Sequence, residues 1–312
     1  MDEHPIKAST EVALFSPVEG MIAGFLHSLD IRPSSKETYR RALKQFLLWL
    51  EARKEMHPSP QTIMEYKNHL RGKGLSSLSI SAYIVVVRRF FDWLESSGGY
   101  PNIALGVKGA KRAKGFRKDP LTLSQAKELL ASIGRSSLLG LRDYALINLL
   151  LRTGMRTIEI IRADTADIRQ LGGEALFYIQ GKGRDEKDEF VVLTPETLRP
   201  IYEYLKARGN GKKDAPLFQS QSDRNRGGRL TTRALRYIIK ERLRNIGIDS
   251  ERLTAHSLRH TAITLALQAG ATVQEAQAMA RHANINTTLI YAHNIDRVKD
   301  APERKIDALL AG

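Results

Sequence analysis

A strongly basic segment at residues 108–120 divides this chain of 312 residues and limits the folds that are open to it. Six of the eleven residues from 108 to 118 are lysine or arginine, and glycines together with Pro120 interrupt any helix there. The segment therefore predicts a linker between two domains. We expect one domain over residues 1–107 and another over residues 121–312.

Residues 1–107 have the hydrophobic periodicity of a helical bundle. One helix is predicted to begin with a capping box formed by Ser34 and Glu37, followed by a single apolar stripe. Two more helices are expected at residues 60–72, with 74 as an alternative end, and at residues 79–98. The aromatic residues of these helices are expected to lie in the core.

Residues 121–312 are predicted to combine helices with one small sheet. Two short β-rich runs at residues 175–180 and 190–193 flank a polar, glycine-containing segment, which indicates a β-hairpin with a basic tip at residues 181–187. Helical patterns occur on both sides of this hairpin. The expected fold class is therefore mainly α with a small β-sheet, in the form of an N-terminal helical bundle followed by a mixed α+β domain.

The charge balance favours a polyanionic partner. Lysine and arginine total 49 against 34 aspartate and glutamate, so the net charge is +15, divided as +7 over residues 1–119 and +8 over the remainder. Such an excess suits DNA, RNA or an anionic membrane surface, although solubility alone would also explain it. The chain has no cysteine, no apolar N-terminal signal and no apolar run long enough to span a bilayer. We therefore expect a cytoplasmic protein without disulfides, thiolate metal sites or membrane spans, and nucleic acid becomes the favoured partner.

Two arginines are candidates for binding a phosphate. Arg156 follows a glycine that can end one helix, and Glu159 lies three residues later on the same helical face, where its carboxylate can hold the guanidinium in place. Arg259 lies about one helical turn beyond His256, so both side chains can point to one place. Two arginines can stabilise the charge on a transferring phosphoryl group without a metal. Either arginine alone would more simply be part of an ion pair.

The histidines and one lysine are candidates for proton transfer. His256 can relay a proton or donate to a phosphate, whereas His260 is expected to pack or to form a hydrogen bond. Their i, i+4 spacing would suit zinc, but no glutamate follows His256 and a cationic arginine lies between them, so no metal is predicted. In the hairpin tip, Lys182 can protonate a leaving hydroxyl group, although Lys187 and Arg184 compete for this role and a solvated turn residue is the simpler interpretation.

Tyr291, nine residues after His282, is the candidate nucleophile. A tyrosine can attack phosphorus and hold it covalently, but its pKa of about 10 means that it needs a nearby base or positive charge, which His282 and the arginines can supply. A core tyrosine is the simpler interpretation of Tyr291 by itself. The joint order arginine, lysine, His-x-x-Arg, histidine and tyrosine nevertheless indicates a site that cuts and rejoins DNA.

That order resembles the tyrosine recombinases, also called the phage integrase family, and especially its Xer-like and phage or transposon integrase members. The resemblance covers residues 121–312, and the bundle and linker before them look like the family's core-binding, DNA-binding domain. It implies a catalytic set with one supporting carboxylate, Glu159: Arg156, Lys182, His256, Arg259, His282 and Tyr291. One departure is Arg281, because the residue before His282 is often glycine in this family.

The resemblance implies a site-specific DNA recombinase or integrase that needs no cofactor, metal or ATP. Tyr291 would form a 3′-phosphotyrosyl intermediate on double-stranded DNA, within a homo-oligomer, expected to be a tetramer, on two DNA sites. The tail after Arg297 is similar to family segments that dock on a neighbouring protomer, with packing on its own domain as the alternative. Basic linker residues are expected to contact the DNA backbone, namely Lys108, Lys111, Arg112, Lys114, Arg117 and Lys118. Two alternatives stay open: an enzyme like the type IB topoisomerases, and a non-catalytic DNA-binding accessory protein.

Overall fold

The chain forms two compact units, Met1–Lys114 and Gly115–Gly312, whose boundary lies within the basic segment. The computed structural model describes residues 18–55, 57–111, 119–181, 184–209, 214–299 and 302–311. Together these residues are mainly helical, with one small sheet, which confirms the predicted fold class. Within the described residues, no helix is both long and apolar enough to cross a membrane.

The first unit contains helices α1 (Val18–Ser28), α2 (Pro33–Ala52), α3 (Pro60–Gly72) and α4 (Ser77–Ser96). Their apolar faces share one core, in which Phe25, Phe46, Phe90 and Phe91 are fully buried. The aromatic residues therefore serve mainly to pack these helices together, as expected from their spacing.

The capping box predicted at Ser34 is wrong, because α2 begins at Pro33 and its N-cap is Arg32, two residues before Ser34. Proline favours the first position of a helix, since its φ angle is already helical and it has no N–H group to leave unpaired. After α4, the chain returns to the bundle: Lys67 donates to the carbonyl of Lys108 at 2.8 Å, and Ala110 is buried. The first residues of the basic segment thus pack on the first unit.

The second unit begins with three helices and a three-stranded sheet and continues with helices alone. The order is α5 (Leu123–Ala131), α6 (Leu138–Thr153), α7 (Thr157–Arg162), β1 (Ile168–Leu171), β2 (Glu174–Ile179), β3 (Glu189–Leu193), α8 (Pro195–Arg208), α9 (Thr232–Arg244), α10 (Ala255–Gln268), α11 (Val273–Ala280), α12 (Asn286–Lys299) and α13 (Pro302–Ala311).

The sheet is antiparallel in the order β1-β2-β3. Strands β2 and β3 pair from Ala175 with Leu193 to Ile179 with Glu189, so the predicted hairpin is present. Strand β1 was not predicted. It is a short edge strand whose side chains are mostly exposed, so it lacks the alternating apolar pattern by which strands are recognised.

Helix α6 forms the centre of the second unit and packs against α8 and α10. Gly154 ends α6 in the left-handed conformation, with φ of 60°, which glycine adopts without the strain that a Cβ atom would introduce. The turn at Gly154 brings Arg156 to the N-cap of α7. Helices α10, α11 and α12 contact one another; α10 carries His256 and Arg259, α12 carries Tyr291, and His282 lies in the turn between α11 and α12.

Candidate active site

Arg156 is held by the carboxylate of Glu159, as its spacing predicted. Its Nη1 donates to Oε1 of Glu159 at 2.8 Å, and its backbone N–H donates to Oε2 at 2.7 Å. Glu159 is fully buried, while about a quarter of the Arg156 side chain is exposed. The buried carboxylate of Glu159 therefore holds the guanidinium of Arg156 on one side. The other side remains accessible, and an anion can bind there.

Arg259 is held by main-chain carbonyls. It donates from Nη1 to the carbonyl of Gly154 at 2.6 Å and from Nη2 to the carbonyl of Ala280, at the ends of α6 and α11. Burial, together with the positive charges of Arg156 and Arg281, lowers its pKa to about 10, so it stays protonated at neutral pH. Because its hydrogen-bond acceptors are neutral carbonyl groups, its charge remains available to attract a phosphate.

Three histidine rings and the Tyr291 ring lie next to one another. The His256 and His260 rings are 4.7 Å apart, His260 and Tyr291 are 5.3 Å apart, and His282 and Tyr291 are 6.2 Å apart. Nδ1 of His282 lies 2.9 Å from Oγ1 of Thr288, which fixes the orientation of its ring.

All three imidazoles have a lowered pKa because they are buried and lie near positive charge. The pKa falls to about 4 for His260 and His282 and is lowered for His256 as well. Arg259 and Arg156 add to the effect of burial at His256 and at His282. The rings are therefore neutral at physiological pH, where each can donate one hydrogen bond and accept another.

Tyr291 has its hydroxyl inside this group of rings. Its oxygen lies 2.6 Å from Nδ1 of His260, and the side chain packs with Ile263 and Ala280. Burial raises the pKa of the phenol to about 12, and the positive charge of Arg259 opposes that rise. The phenol is therefore protonated before any reaction. The sequence indicated a hydrogen-bonding role for His260 but not its contact with Tyr291, which depends on how α10 packs against α12.

Lys182 lies outside the described residues, so its assignment stays a prediction. Both competitors in the hairpin are bound to carboxylates. Nζ of Lys187 lies 2.8 Å from Asp164 and 2.6 Å from Asp167, and Arg184 pairs with Asp188 and with Glu189. Lys187 and Arg184 therefore already form ion pairs, Arg184 within the hairpin and Lys187 with the segment just before β1.

Arg281 adopts the left-handed conformation, with φ of 53°, at the C-cap of α11. This conformation explains why a glycine would suit the position. The turn is intact nonetheless, since the backbone N–H groups of Arg281 and His282 donate to the carbonyls of Ala278 and Gln277. The side chain of Arg281 points inward to Glu159, a contact that the sequence did not indicate.

Among the basic residues of the linker, Lys108 and Lys111 are exposed. Arg112, Lys114, Arg117 and Lys118 fall outside the described residues, so their contact with DNA stays a prediction. Across the described ranges, no group of histidine and acidic side chains is arranged to hold a metal ion.

Comparison with known proteins identifies relatives over most of the chain. Residues 120–297 match the family model described as Phage integrase family, and residues 22–98 match the one described as Phage integrase, N-terminal SAM-like domain. The chain is 29% identical to tyrosine recombinase XerD of Listeria monocytogenes, over 88% of this chain and 93% of the relative. It is 30% identical to XerD of Halalkalibacterium halodurans, over 82% of this chain and 86% of that protein.

Two solved structures have the same fold. One is XerH site-specific recombinase bound to palindromic difH substrate in a post-cleavage complex, with a TM-score of 0.74, 20% identity, and coverage of 97% of this chain and 100% of that one. Another is a lambda integrase dimer bound to a COC′ core site, with a TM-score of 0.65, 15% identity, and coverage of 86% of this chain and 96% of that one.

Proposed function

The chain belongs to the phage integrase family of tyrosine recombinases and is a site-specific recombinase, and we propose that Tyr291 is its nucleophile. The observation that carries this assignment is the position of the Tyr291 hydroxyl. It is buried beside His260 and near the positive charge of Arg259, in a site to which Arg156 adds a second guanidinium. Such a site suits the negative charge of a phosphodiester in its transition state.

In the proposed reaction, the oxygen of Tyr291 attacks the scissile phosphorus and the bond from phosphorus to the 5′-oxygen breaks. The products are a 3′-phosphotyrosyl link and a 5′-hydroxyl group, whose proton comes from Lys182. The phenol proton passes to Nδ1 of His260, the acceptor 2.6 Å away. Attack by the 5′-hydroxyl of a partner strand reverses these steps. The covalent link conserves the energy of the phosphodiester bond, so this mechanism needs no ATP, cofactor or metal.

The other members of the site stabilise the phosphoryl group. Arg156 and Arg259 bind its non-bridging oxygens, since a guanidinium fork matches the geometry of two phosphate oxygens. His256 and His282, neutral at physiological pH, each donate one hydrogen bond. Glu159 supports Arg156 from behind.

Double-stranded DNA is the proposed substrate, as it is for the XerH recombinase in its post-cleavage complex. We assign DNA binding to the first unit and to the basic linker residues, on the basis of their charge and of the SAM-like domain match. The reaction then takes place where the cell keeps its DNA, which agrees with the cytoplasmic location expected from the sequence.

The active form is proposed to be a tetramer assembled on two DNA sites, in which α13 docks on a neighbouring protomer. The side chains of Leu309 and Leu310 are each 81% exposed, and Ile306 is 54% exposed. Apolar side chains so exposed do not pack on their own domain, so docking on another protomer is the favoured alternative of the two left open by the sequence.

The test is to incubate the protein with a nicked duplex that carries candidate sites from the DNA flanking its gene. We expect a covalent protein–DNA adduct in wild type and none in Tyr291→Phe. Tyr202→Phe is the matched control, because Tyr202 is an exposed tyrosine on α8 and should leave the adduct unchanged. An adduct that persists in Tyr291→Phe would place the nucleophile elsewhere.

The same experiment separates the alternatives. Relaxation of supercoiled DNA without pairing of two sites would support an enzyme like the type IB topoisomerases. Binding of the DNA without an adduct on any nicked site would support a non-catalytic accessory protein.

A further inference from the structure

Arg281 occupies a backbone conformation that is unfavourable for an arginine. Its φ of 53° is positive, and among the described residues the only other positive φ outside glycine is that of Lys54. Left-handed backbone forces the Cβ atom towards the following carbonyl oxygen, a strain that glycine avoids. A turn that needed only this backbone shape would therefore be better served by glycine, so the side chain of Arg281 calls for a physical explanation.

That side chain is buried among partners inside the protein. Nη2 donates to Oε2 of Glu159 at 2.7 Å, Nη1 donates to the carbonyl of Met279 at 2.8 Å, and Nε lies 3.9 Å from Oε2 of Glu189. Only 6% of the side chain is exposed. The charge of Arg281 therefore acts on neighbouring protein groups.

The carboxylate of Glu159 is shared between two arginines. One oxygen accepts from Nη1 of Arg156, and the other accepts from Arg281 and from the backbone N–H of Arg156. Nη2 of Arg156 also donates to the carbonyl of Arg281 at 3.1 Å. Arg281 therefore acts on Arg156 in two ways. Its backbone carbonyl accepts a hydrogen bond from Arg156, and its side chain binds the carboxylate that also binds Arg156.

We propose that Arg281 is a positioning residue, which fixes the carboxylate of Glu159 and through it the guanidinium of Arg156. The inference rests on the proposed role of Arg156 in binding the scissile phosphate. Without Arg281, the carboxylate would be held by Arg156 alone, through Nη1 and the backbone N–H, whereas the rigid guanidinium of Arg281 anchors it to a second element, the end of α11. The carboxylate of Glu189, at the start of β3, lies 3.9 Å from Nε of Arg281 and adds a second negative charge beside this guanidinium.

The charge of Arg281 has a second consequence, at His282. Facing the His282 ring are Arg259 and His256 from α10, Arg156 from α7, Thr288 and Tyr291 from α12, and Arg281 next to it in the chain. The positive charge of Arg281 is one of the causes that hold the pKa of His282 below its usual range. Removing that charge should raise the pKa of His282, which an NMR titration of its imidazole measures.

The test compares Arg281→Gly with Arg281→Lys in single-turnover formation of the covalent adduct on a nicked duplex. We expect Arg281→Gly to be slower by about tenfold, because displacement of a positioning group by a fraction of an ångström is enough for such a loss. Arg281→Lys should keep part of the rate that Arg281→Gly loses. Arg199→Ala is the control for the loss of an arginine from the second unit, since Arg199 is exposed on α8, pairs with Glu196 and should leave the rate unchanged.

Two further measurements separate positioning from a general loss of structure. In a double-mutant cycle, Arg281→Gly and Glu159→Gln should be non-additive, since one acts through the other. The His282 imidazole should also titrate at a higher pH in Arg281→Gly than in wild type. Additive effects, or a wild-type rate in Arg281→Gly, would overturn the inference.

A crystal structure of Arg281→Gly tests the inference independently of activity. We expect the Glu159 carboxylate to rotate and the Arg156 guanidinium to leave its position. If Arg156 and Glu159 keep their contacts, the inference fails even where the recombinase is active. If wild type forms no adduct while Arg156 moves in the variant, the proposed function fails and the positioning role stands.

Discussion

The hydroxyl oxygen of Tyr291 lies 2.6 Å from Nδ1 of His260. Burial and neighbouring positive charge lower the pKa of His260 to about 4, so its imidazole is neutral at pH 7. Burial raises the pKa of Tyr291 to about 12, so the phenol keeps its proton. With both groups neutral, the hydroxyl can donate to Nδ1 in the tautomer of His260 that carries its proton on Nε2. This arrangement gives the phenol an acceptor for the proton that it must lose on attack.

His260→Ala is expected to slow formation of the adduct by about 100-fold, which is typical for loss of a general base. The rate is measured in a single turnover on a nicked duplex. His293→Ala is the control, because His293 is an exposed histidine on the same helix as Tyr291. A wild-type rate in His260→Ala would assign the phenol proton to another acceptor.

The stability of the protein should fall as the pH falls from about 6.5 to about 4. The folded chain holds His260 and His282 with a pKa of about 4, whereas their ordinary value is 6.5. The unfolded chain therefore takes up protons first, and folding becomes less favourable across that window, while stability is retained above it. Melting temperatures measured from pH 8 to pH 4 test this sign. The double variant His260→Gln, His282→Gln should lose less stability than wild type, and an equal loss would contradict the prediction.

Lys182→Ala should slow cleavage of ordinary DNA and have little effect when sulfur replaces the 5′-oxygen that leaves. A thiol has a pKa of about 8.5 and departs as a thiolate, so it needs no acid. Lys187→Ala is the control, because Lys187 lies in the same hairpin but is bound to Asp164 and Asp167. If the sulfur-containing DNA restores the cleavage rate of Lys187→Ala but not that of Lys182→Ala, the general acid is Lys187.

Neutralising the linker should weaken DNA binding and reduce its salt dependence. For every phosphate that the protein no longer neutralises, the slope of log K against log salt should become shallower by about 0.9. Alanine variants of Lys108 and Lys111, both exposed, are the first to measure by equilibrium titration at several salt concentrations. Lys127→Ala, at an exposed position on α5, is the control outside the linker. An unchanged slope would remove Lys108 and Lys111 from the DNA interface.

Replacing Leu309 and Leu310 by aspartate should disrupt assembly while the fold persists. Both side chains are 81% exposed, so the free energy of unfolding should change by no more than about 0.5 kcal/mol. Adduct formation on a single nicked site should continue, whereas sedimentation of complexes on paired sites should show fewer tetramers. Leu171→Asp is the control, at a leucine on β1 that is 62% exposed in the second unit. Equal assembly in all variants would show that α13 takes no part.

Local signals were sufficient to predict much of the fold. Helix α3 has a proline at its first position and a glycine at its last, and β2 and β3 are rich in β-branched and aromatic residues. These features act within a few residues and can therefore be read in the sequence. Strand β1 has none of them, because pairing with β2 creates it, and α2 was predicted to begin two residues late because Ser34 resembles an N-cap although Arg32 is the N-cap.

The candidate site was predictable as a set of residues but not as a set of contacts. The spacing of Arg156 and Glu159 indicated their ion pair because both belong to one helical turn. The contact between Arg281 and Glu159 joins residues 122 positions apart, and that between His260 and Tyr291 joins residues on two different helices. Such contacts depend on how whole helices pack, which no local pattern specifies.

The exposed leucines of α13 also bear on how the number of subunits is set. A tail given by one protomer and received by the next is a head-to-tail contact, which forms a closed ring only if the rotation between neighbours divides a full circle. With any other rotation, successive protomers add to an open filament. The angle at which α13 leaves its domain, rather than the strength of its binding, would then determine whether assembly stops at a fixed size.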